Sequence, residues 1–216
     1  TEPRSLNRAT QSIRQTGSAI KPIAVLAPAI SKKMITAASI YDDTERDFAE
    51  GYHPTDYNPS LGKVTVRRAV ESSQNIPFVE IMEKLKPSKS IKFLEKMGVT
   101  TLTEEDNNLV LALGGLQKGI SPLEMAGAYA TIANDGVYIE PTFYSKVENK
   151  NGTLIIKSKQ KSRRVFSKEV AYILKELLTQ PVTGTNGTAT YCAISGIDVA
   201  AKTGTTDENY DRWLCG

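Results

Sequence analysis

A chain of 216 residues with 40% apolar and 24% charged side chains can bury one sizeable core, alone or with a small appendage. Its 27 basic and 24 acidic groups leave a net charge of +3, too even a balance to point to nucleic acid. The single histidine, His53, sits in a loop-like stretch with Gly51, Pro54 and Asp56, which argues against histidine-based nucleophilic catalysis, and Cys192 and Cys215 lack metal-ligand spacing, so no metal or cofactor is expected.

Residues 1–16 are polar and carry no strong period. From Gly17 an apolar helix is predicted, with Ser18 at its mouth and Pro22 in its first turn, where a missing N–H is tolerated. Lys21 follows Ser18 by about one turn, so the two side chains are expected on one face. The plainer reading makes Ser18 a helix cap and turns Lys21 to solvent. The apolar run Ile23 to Ile30 is too short to span a membrane, contains Pro28, and reads as a core helix. Residues 36–60 form a long irregular stretch, a length that is uncommon unless the loop is functional or packed over something. Gly62-Lys63 is no phosphate loop, because Tyr57 and Val64 stand where such a loop needs glycine and a hydroxyl.

A short helix is predicted over Val64 to Glu71, ending at Ser72-Ser73-Gln74-Asn75. The next has Pro77 in its first turn and Phe78, Ile81, Met82 and Leu85 on one face. Ser88 to Met97 repeats the pattern, with Ile91, Leu94 and Met97 inward and Gly98 as the stop. Ser121-Pro122-Leu123-Glu124 is a capping box that opens a helix to about Asn134, closed by Gly136. Val137 to Lys159 reads as strands around an Asn151-Gly152 turn, and the basic run 157–164 as a solvated loop. Ser167 to Gln180 is an amphipathic helix stopped by Pro181. A small-residue loop, Thr183 to Ala189, precedes the apolar run Ile197 to Ala201, read as a strand leading into Lys202-Thr203-Gly204-Thr205. Whether Cys192 and Cys215 are paired or free stays open.

Chemistry gathers in three places. Serine needs a partner to take its proton, and a lysine serves when burial and a second cation bring its pKa down toward neutrality. Lys21 is spaced for that role beside Ser18, and Lys202 can be the second cation. At the third place Thr203 and Thr205 offer hydroxyls, while Gly204 permits a close backbone approach. In order, Ser18-x-x-Lys21, Ser73-x-Asn75 and Lys202-Thr203-Gly204 are the SxxK, SxN and KTG elements of penicillin-binding proteins and serine β-lactamases, with Gln74 in place of the aspartate of SDN.

With the flanking Asn7-Arg8-Ala9-Thr10-Gln11, Arg14-Gln15-Thr16-Gly17, Asn75-Ile76-Pro77, Gly119-Ile120-Ser121-Pro122-Leu123, Ala128-Tyr129-Ala130-Thr131 and Asp211-Arg212-Trp213, the whole chain resembles the transpeptidase domain of class A, bifunctional penicillin-binding proteins. The resemblance implies an α+β, β-lactamase/transpeptidase-like fold, with an antiparallel sheet of about five strands flanked by helices. It also implies a peptidoglycan D,D-transpeptidase of the bacterial cell wall, a serine-type acyltransferase that β-lactams acylate. In that scheme Ser18 attacks the D-Ala-D-Ala bond of a stem peptide, Lys21 is the general base and Ser73 relays a proton to the leaving amine. Asn75 bonds the substrate amide and Lys202 sets the local potential. Thr203 and Thr205, with Gly204 between them, hold the terminal carboxylate, and the N–H groups of Ser18 and Thr205 receive the oxyanion.

Family domains carry two strands before SxxK and finish the sheet after KTG. Residues 1–216 are therefore expected to be a fragment of one penicillin-binding transpeptidase domain, without the glycosyltransferase module and anchor. The rest of the polypeptide, or another chain, is expected to complete the sheet at the extracytoplasmic face of the bacterial membrane. Three alternatives share the motifs: a β-lactamase, a D,D-carboxypeptidase and a non-catalytic β-lactam sensor. A lactamase needs a deacylating glutamate, for which Glu104 and Glu105 are the candidates by position, yet an acidic solvated loop is the plainer reading there. The long interval from Ser73 to Lys202 also speaks against a compact lactamase.

Overall fold

A computed structural model describes residues 5–216, so Thr1–Arg4 of the polar leader lie outside the described residues. Its centre is the stretch 17–31, apolar all round except at Ser18, Lys21 and Ser31, as a helix buried on every side requires. The regular helix expected there is instead three pieces. Gly17–Ile20 is a 3₁₀ turn, Pro22–Leu26 a π turn, and α1 runs over Ala27–Ser31. Pro22 and Pro28 explain the break, since neither can donate to the ladder. Neighbouring helices satisfy two of its carbonyls: Tyr129 Oη donates to Ala19 O (2.7 Å) and Ser90 Oγ to Ala24 O (2.6 Å).

The strands β1 (Ile40–Asp42) and β2 (Lys63–Thr65) pair antiparallel, with Tyr41 opposite Val64. Val64 was expected to open a helix, but that ladder claims it, and α2 (Val66–Ser72) starts two residues later behind a Thr65 cap whose Oγ1 accepts from Arg68 N–H (3.2 Å). α3 (Ile76–Leu85) buries Phe78, Ile81, Met82 and Leu85, as the pattern predicts. α4 (Pro87–Lys96) sends Leu94 inward, followed by Met97. α5 (Pro122–Ala133) has the predicted capping box in both directions, Ser121 Oγ accepting from Glu124 N–H (3.3 Å) and Glu124 Oε2 from Ser121 N–H (3.0 Å).

β3 (Val137–Ile139) pairs with β6 (Ser162–Arg164), enclosing a hairpin of β4 (Lys146–Glu148) and β5 (Leu154–Lys157) that turns through Asn151-Gly152. Part of the basic run expected as loop is thus a strand. Arg163 lies over the Tyr138 ring at 4.5 Å and donates to Lys96 O (2.7 Å). α6 (Lys168–Thr183) passes through Pro181 rather than stopping before it, because a proline in the last turn keeps helical φ and forfeits one hydrogen bond.

β7 (Lys202–Thr205) and β8 (Arg212–Cys215) pair antiparallel, Gly204 opposite Trp213. The apolar run before β7 is not a strand. It makes one isolated bridge, Ile194 with Ile197, and no ladder; Ile197 is 61% exposed, and only its end, Val199 and Ala201, packs against Val182 and Ala189. Four two-stranded antiparallel ladders among helices thus stand, in the described residues, where about five strands in one sheet were expected. The architecture is α+β. Both cysteines are free, and burial pushes the Cys215 thiol up to about 11.

Candidate active site

The three motif stretches meet at one cleft of about 770 Å³, lined among others by Ser18, Ser73, Asn75, Thr203, Gly204 and Thr205. Ser18 comes from the 3₁₀ turn and Ser73 from the end of α2. Asn75 immediately precedes α3, and the last three belong to β7. Gly204 is what lets β7 touch the serine turn: a Cβ there would lie 2.2 Å from Thr16 O and 2.8 Å from Ala19 N, both backbone. Gly17 lies against β7 in the same way, with positive φ (52°), so the backbones carrying Ser18 and Thr205 abut. Trp213 of β8 completes the join by donating Nε1–H to Gln15 O (2.8 Å).

Ser73 occupies the left-handed region (φ 61°, ψ 31°), unusual for a serine, and ends α2 so abruptly that residues 73–75 turn back over Lys21. Lys21 is fully buried, not solvated. Its Nζ donates to Ser73 O (2.8 Å), Gln74 O (2.8 Å) and Asn75 Oδ1 (2.7 Å), and lies 4.9 Å from the centroid of the Phe78 ring. Three acceptors match the three N–H bonds of an ammonium. Ser18 caps nothing, since no side-chain cap exists on its turn, and its hydroxyl has no hydrogen bond to another described residue. Lys202 is also fully buried and donates from Nζ to Ser73 Oγ (2.7 Å) and Thr203 O (3.1 Å).

Desolvation dominates the electrostatics. It lowers Lys21 well below the ordinary lysine range, helped by the Lys202 ammonium and opposed by Asp56 and Asp43. It alone takes Lys202 from 10.5 to about 7. Both amines therefore lose a proton more readily than an ordinary lysine, and Ser73 touches both, with its carbonyl on Lys21 and its hydroxyl on Lys202.

Several participants escaped the sequence reading. Thr188, in the small-residue loop, shares a 2.7 Å hydrogen bond between its Oγ1 and that of Thr203. Asp56 accepts the N–H of Asn75, and Thr55 O accepts from Asn75 Nδ2 (2.7 Å). Gln74, the departure from SDN, sends its side chain to Asp43 (Nε2 to Oδ2, 2.6 Å). The unusual length of the 36–60 stretch was the available signal, and Thr55–Asn58 do line the cleft. Glu104 and Glu105 are exposed and outside its lining. His53 is also outside it, hydrogen-bonded to Asp47 (2.9 Å).

Comparison with known proteins gives a consistent picture. The family "Penicillin binding protein transpeptidase domain" matches residues 3–212. The chain is 36% identical to penicillin-binding protein 1A of Clostridium acetobutylicum over 99% of its own length and 28% of that protein's. It is also 36% identical to penicillin-binding protein 1F of Bacillus subtilis, over 97% and 29% respectively. Among solved structures, penicillin-binding protein 1A from Haemophilus influenzae superposes with TM-score 0.86 at 26% identity, covering 97% of this chain and 37% of the other. The D,D-transpeptidase domain of a peptidoglycan glycosyltransferase from Eggerthella lenta gives 0.82 at 25%, covering 97% and 58%. The chain thus spans less than a third of the length of these two curated relatives.

Proposed function

Since the chain belongs to the penicillin-binding protein transpeptidase family, we propose that its cleft performs the acyl-transfer step of peptidoglycan cross-linking, with Ser18 as the nucleophile. The observation that carries this reading is the convergence of Ser18, Ser73, Asn75 and β7 on one cleft, with the buried Lys21 and Lys202 both hydrogen-bonded to Ser73. Ser18 Oγ attacks the carbonyl between the two terminal D-alanines of a stem peptide and gives its proton to Lys21 as a neutral amine. The C–N bond then breaks, and the leaving D-alanine amine takes a proton through Ser73, which Lys202 contacts. An amine from a second stem displaces Ser18 from the ester and restores its hydroxyl.

Thr203 and Thr205 hold the terminal carboxylate, Thr203 being oriented by Thr188. Asn75 bonds the donor amide, and the N–H groups of Ser18 and Thr205 receive the oxyanion, where one donor is worth roughly 3 to 4 kcal/mol. A β-lactam enters the same path and stops at the acyl-enzyme. A further strand pairing with the β7–β8 ladder, from the same polypeptide or another chain, completes the sheet, and the parent protein is anchored at the extracytoplasmic face of the membrane.

The test is labelling by a fluorescent penicillin. The parent protein is expected to be labelled at Ser18 and to hold the label for hours, whereas loss within minutes marks a β-lactamase. D-Alanine release from a stem-peptide mimic separates an enzyme from a sensor, and the product, amide or free acid, separates a transpeptidase from a carboxypeptidase. Labelling that persists in Ser18→Ala sinks the reading.

A further inference from the structure

The stretch between β1 and β2 has no part in the reaction above, yet two of its carboxyls, the buried Asp43 and the half-buried Asp56, reach the site. Asp43, fully buried, accepts on Oδ2 from Leu61 N–H (2.9 Å) and Gln74 Nε2 (2.6 Å). Asp56 accepts on Oδ1 from the N–H of Asn75. The other oxygen of each, Asp43 Oδ1 and Asp56 Oδ2, is buried without a conventional partner. Asp43 bears on Asp56 through both its charge and side-chain hydrogen bonding. A carboxylate only accepts, so two such oxygens repel when both groups are ionised and satisfy each other when one proton lies between them. The charged groups facing the pair are Lys21, from the serine-bearing helix, and behind it Lys202, from β7.

We propose that Asp43 and Asp56 share one proton between Asp43 Oδ1 and Asp56 Oδ2, forming a latch that fixes Asn75 and sets the negative charge felt by Lys21. Both are positioning residues, since neither is given a contact with the reacting atoms. The catalytic consequence rests on the acyl-transfer reading, whereas the shared proton does not. Burial first, and then Asp43, raise Asp56 to about 6, against the pull of Asn75 N–H and Lys21. Above that range the proton leaves, a second negative charge appears near Lys21 and favours its ammonium, and the two carboxylates push apart beneath Asn75.

Infrared titration of the full-length protein reads the pair directly. A carboxylic-acid C=O band is expected to appear on acidification through about pH 6, and to be missing from Asp43→Asn and from Asp56→Asn, where a carboxamide N–H stands in for the proton. The second readout is the pH profile of acylation by a fluorescent penicillin. The parent profile carries an ionisation near pH 6 that Asp43→Asn removes. Asp56→Ala, which strips Asn75 N–H of its acceptor, slows acylation at every pH by about tenfold or more. A titration without that acid band, or an Asp43→Asn profile that keeps the ionisation, overturns the latch. A parent protein that penicillin does not label overturns the acyl-transfer reading alone, because the infrared band needs no acylation.

Discussion

Replacing Lys202 by methionine keeps its length and apolar stem while removing a charge that burial brings down from 10.5 to about 7. The unfolded chain keeps its proton on this lysine up to about pH 10.4, whereas the folded chain releases it near neutrality. Between those values the unfolded state binds more protons, so stability rises with pH; the penalty is greatest in acid and is released above the folded pKa. From pH 7 to pH 9 this one group adds about 2 kcal/mol. For a domain of this size that amounts to roughly 4 to 8 °C in Tm. Scanning calorimetry of parent and Lys202→Met at the two pH values, compared as a difference of differences, isolates the contribution. Losing Lys202 also removes a neighbour that lowers Lys21, which flattens the variant's slope in the same direction and leaves the refuting outcome unchanged. A variant whose Tm climbs as steeply as the parent's refutes the claim that Lys202 is a desolvated, nearly neutral amine.

Gly204→Ala drives a methyl into Thr16 O and Ala19 N and is expected to cost about 3 kcal/mol in chemical denaturation, with a parallel loss of penicillin acylation; a stability within error of the parent means β7 and the serine turn do not pack as described. Thr188→Val leaves Thr203 Oγ1 without its partner, at a cost of about 1 kcal/mol. Its distinguishing effect is weaker capture of ligands that carry the terminal carboxylate, and acylation kinetics equal to the parent's argue against an orienting role. Asn75→Asp places a carboxylate on the Lys21 ammonium and raises its pKa, so the acid limb of the acylation profile moves to higher pH. A limb that stays in place removes Lys21 as the base.

The residues that meet in the cleft were legible because chemistry constrains type as well as spacing: a serine three residues before a lysine, a serine two before an asparagine, and a lysine-threonine-glycine run. The helices were legible where one signal dominated, as in the Ser121–Glu124 capping box and the apolar face of α3. Other features depended on partners distant in the chain. Val64 scores as helix locally but is opposite Tyr41 in a ladder. Ile197 to Ala201 has strand composition and no strand to meet, and Arg163 reads as solvated until Tyr138 is beneath it. Asp43 and Asp56 were out of reach for the same reason. A carboxylate in a polar loop looks solvated until the loop folds over residues 73–75, and only loop length hinted that it would.

The costs of this fold are concentrated rather than spread. Lys21 and Lys202 are fully buried and rest on neutral oxygens, an arrangement that desolvation penalises and a stability-optimised core avoids. Ser73 sits in a left-handed conformation where glycine or asparagine is at ease, and the helix bearing Ser18 passes from 3₁₀ to π before it becomes regular. Away from the cleft the ordinary rules hold, with capped helices, a turn at Asn151-Gly152 and an apolar interior. The buried lysines, the left-handed Ser73 and the broken helix all fall on motif stretches, although Lys33, Lys86 and Asp135 also take positive φ elsewhere. Sites that must hold an uncomfortable charge or angle draw on the stability of the rest of the domain. The two lysines mark this site by energetics before any relative is compared: both are fully buried amines whose pKa values desolvation lowers, and Ser73 touches each of them.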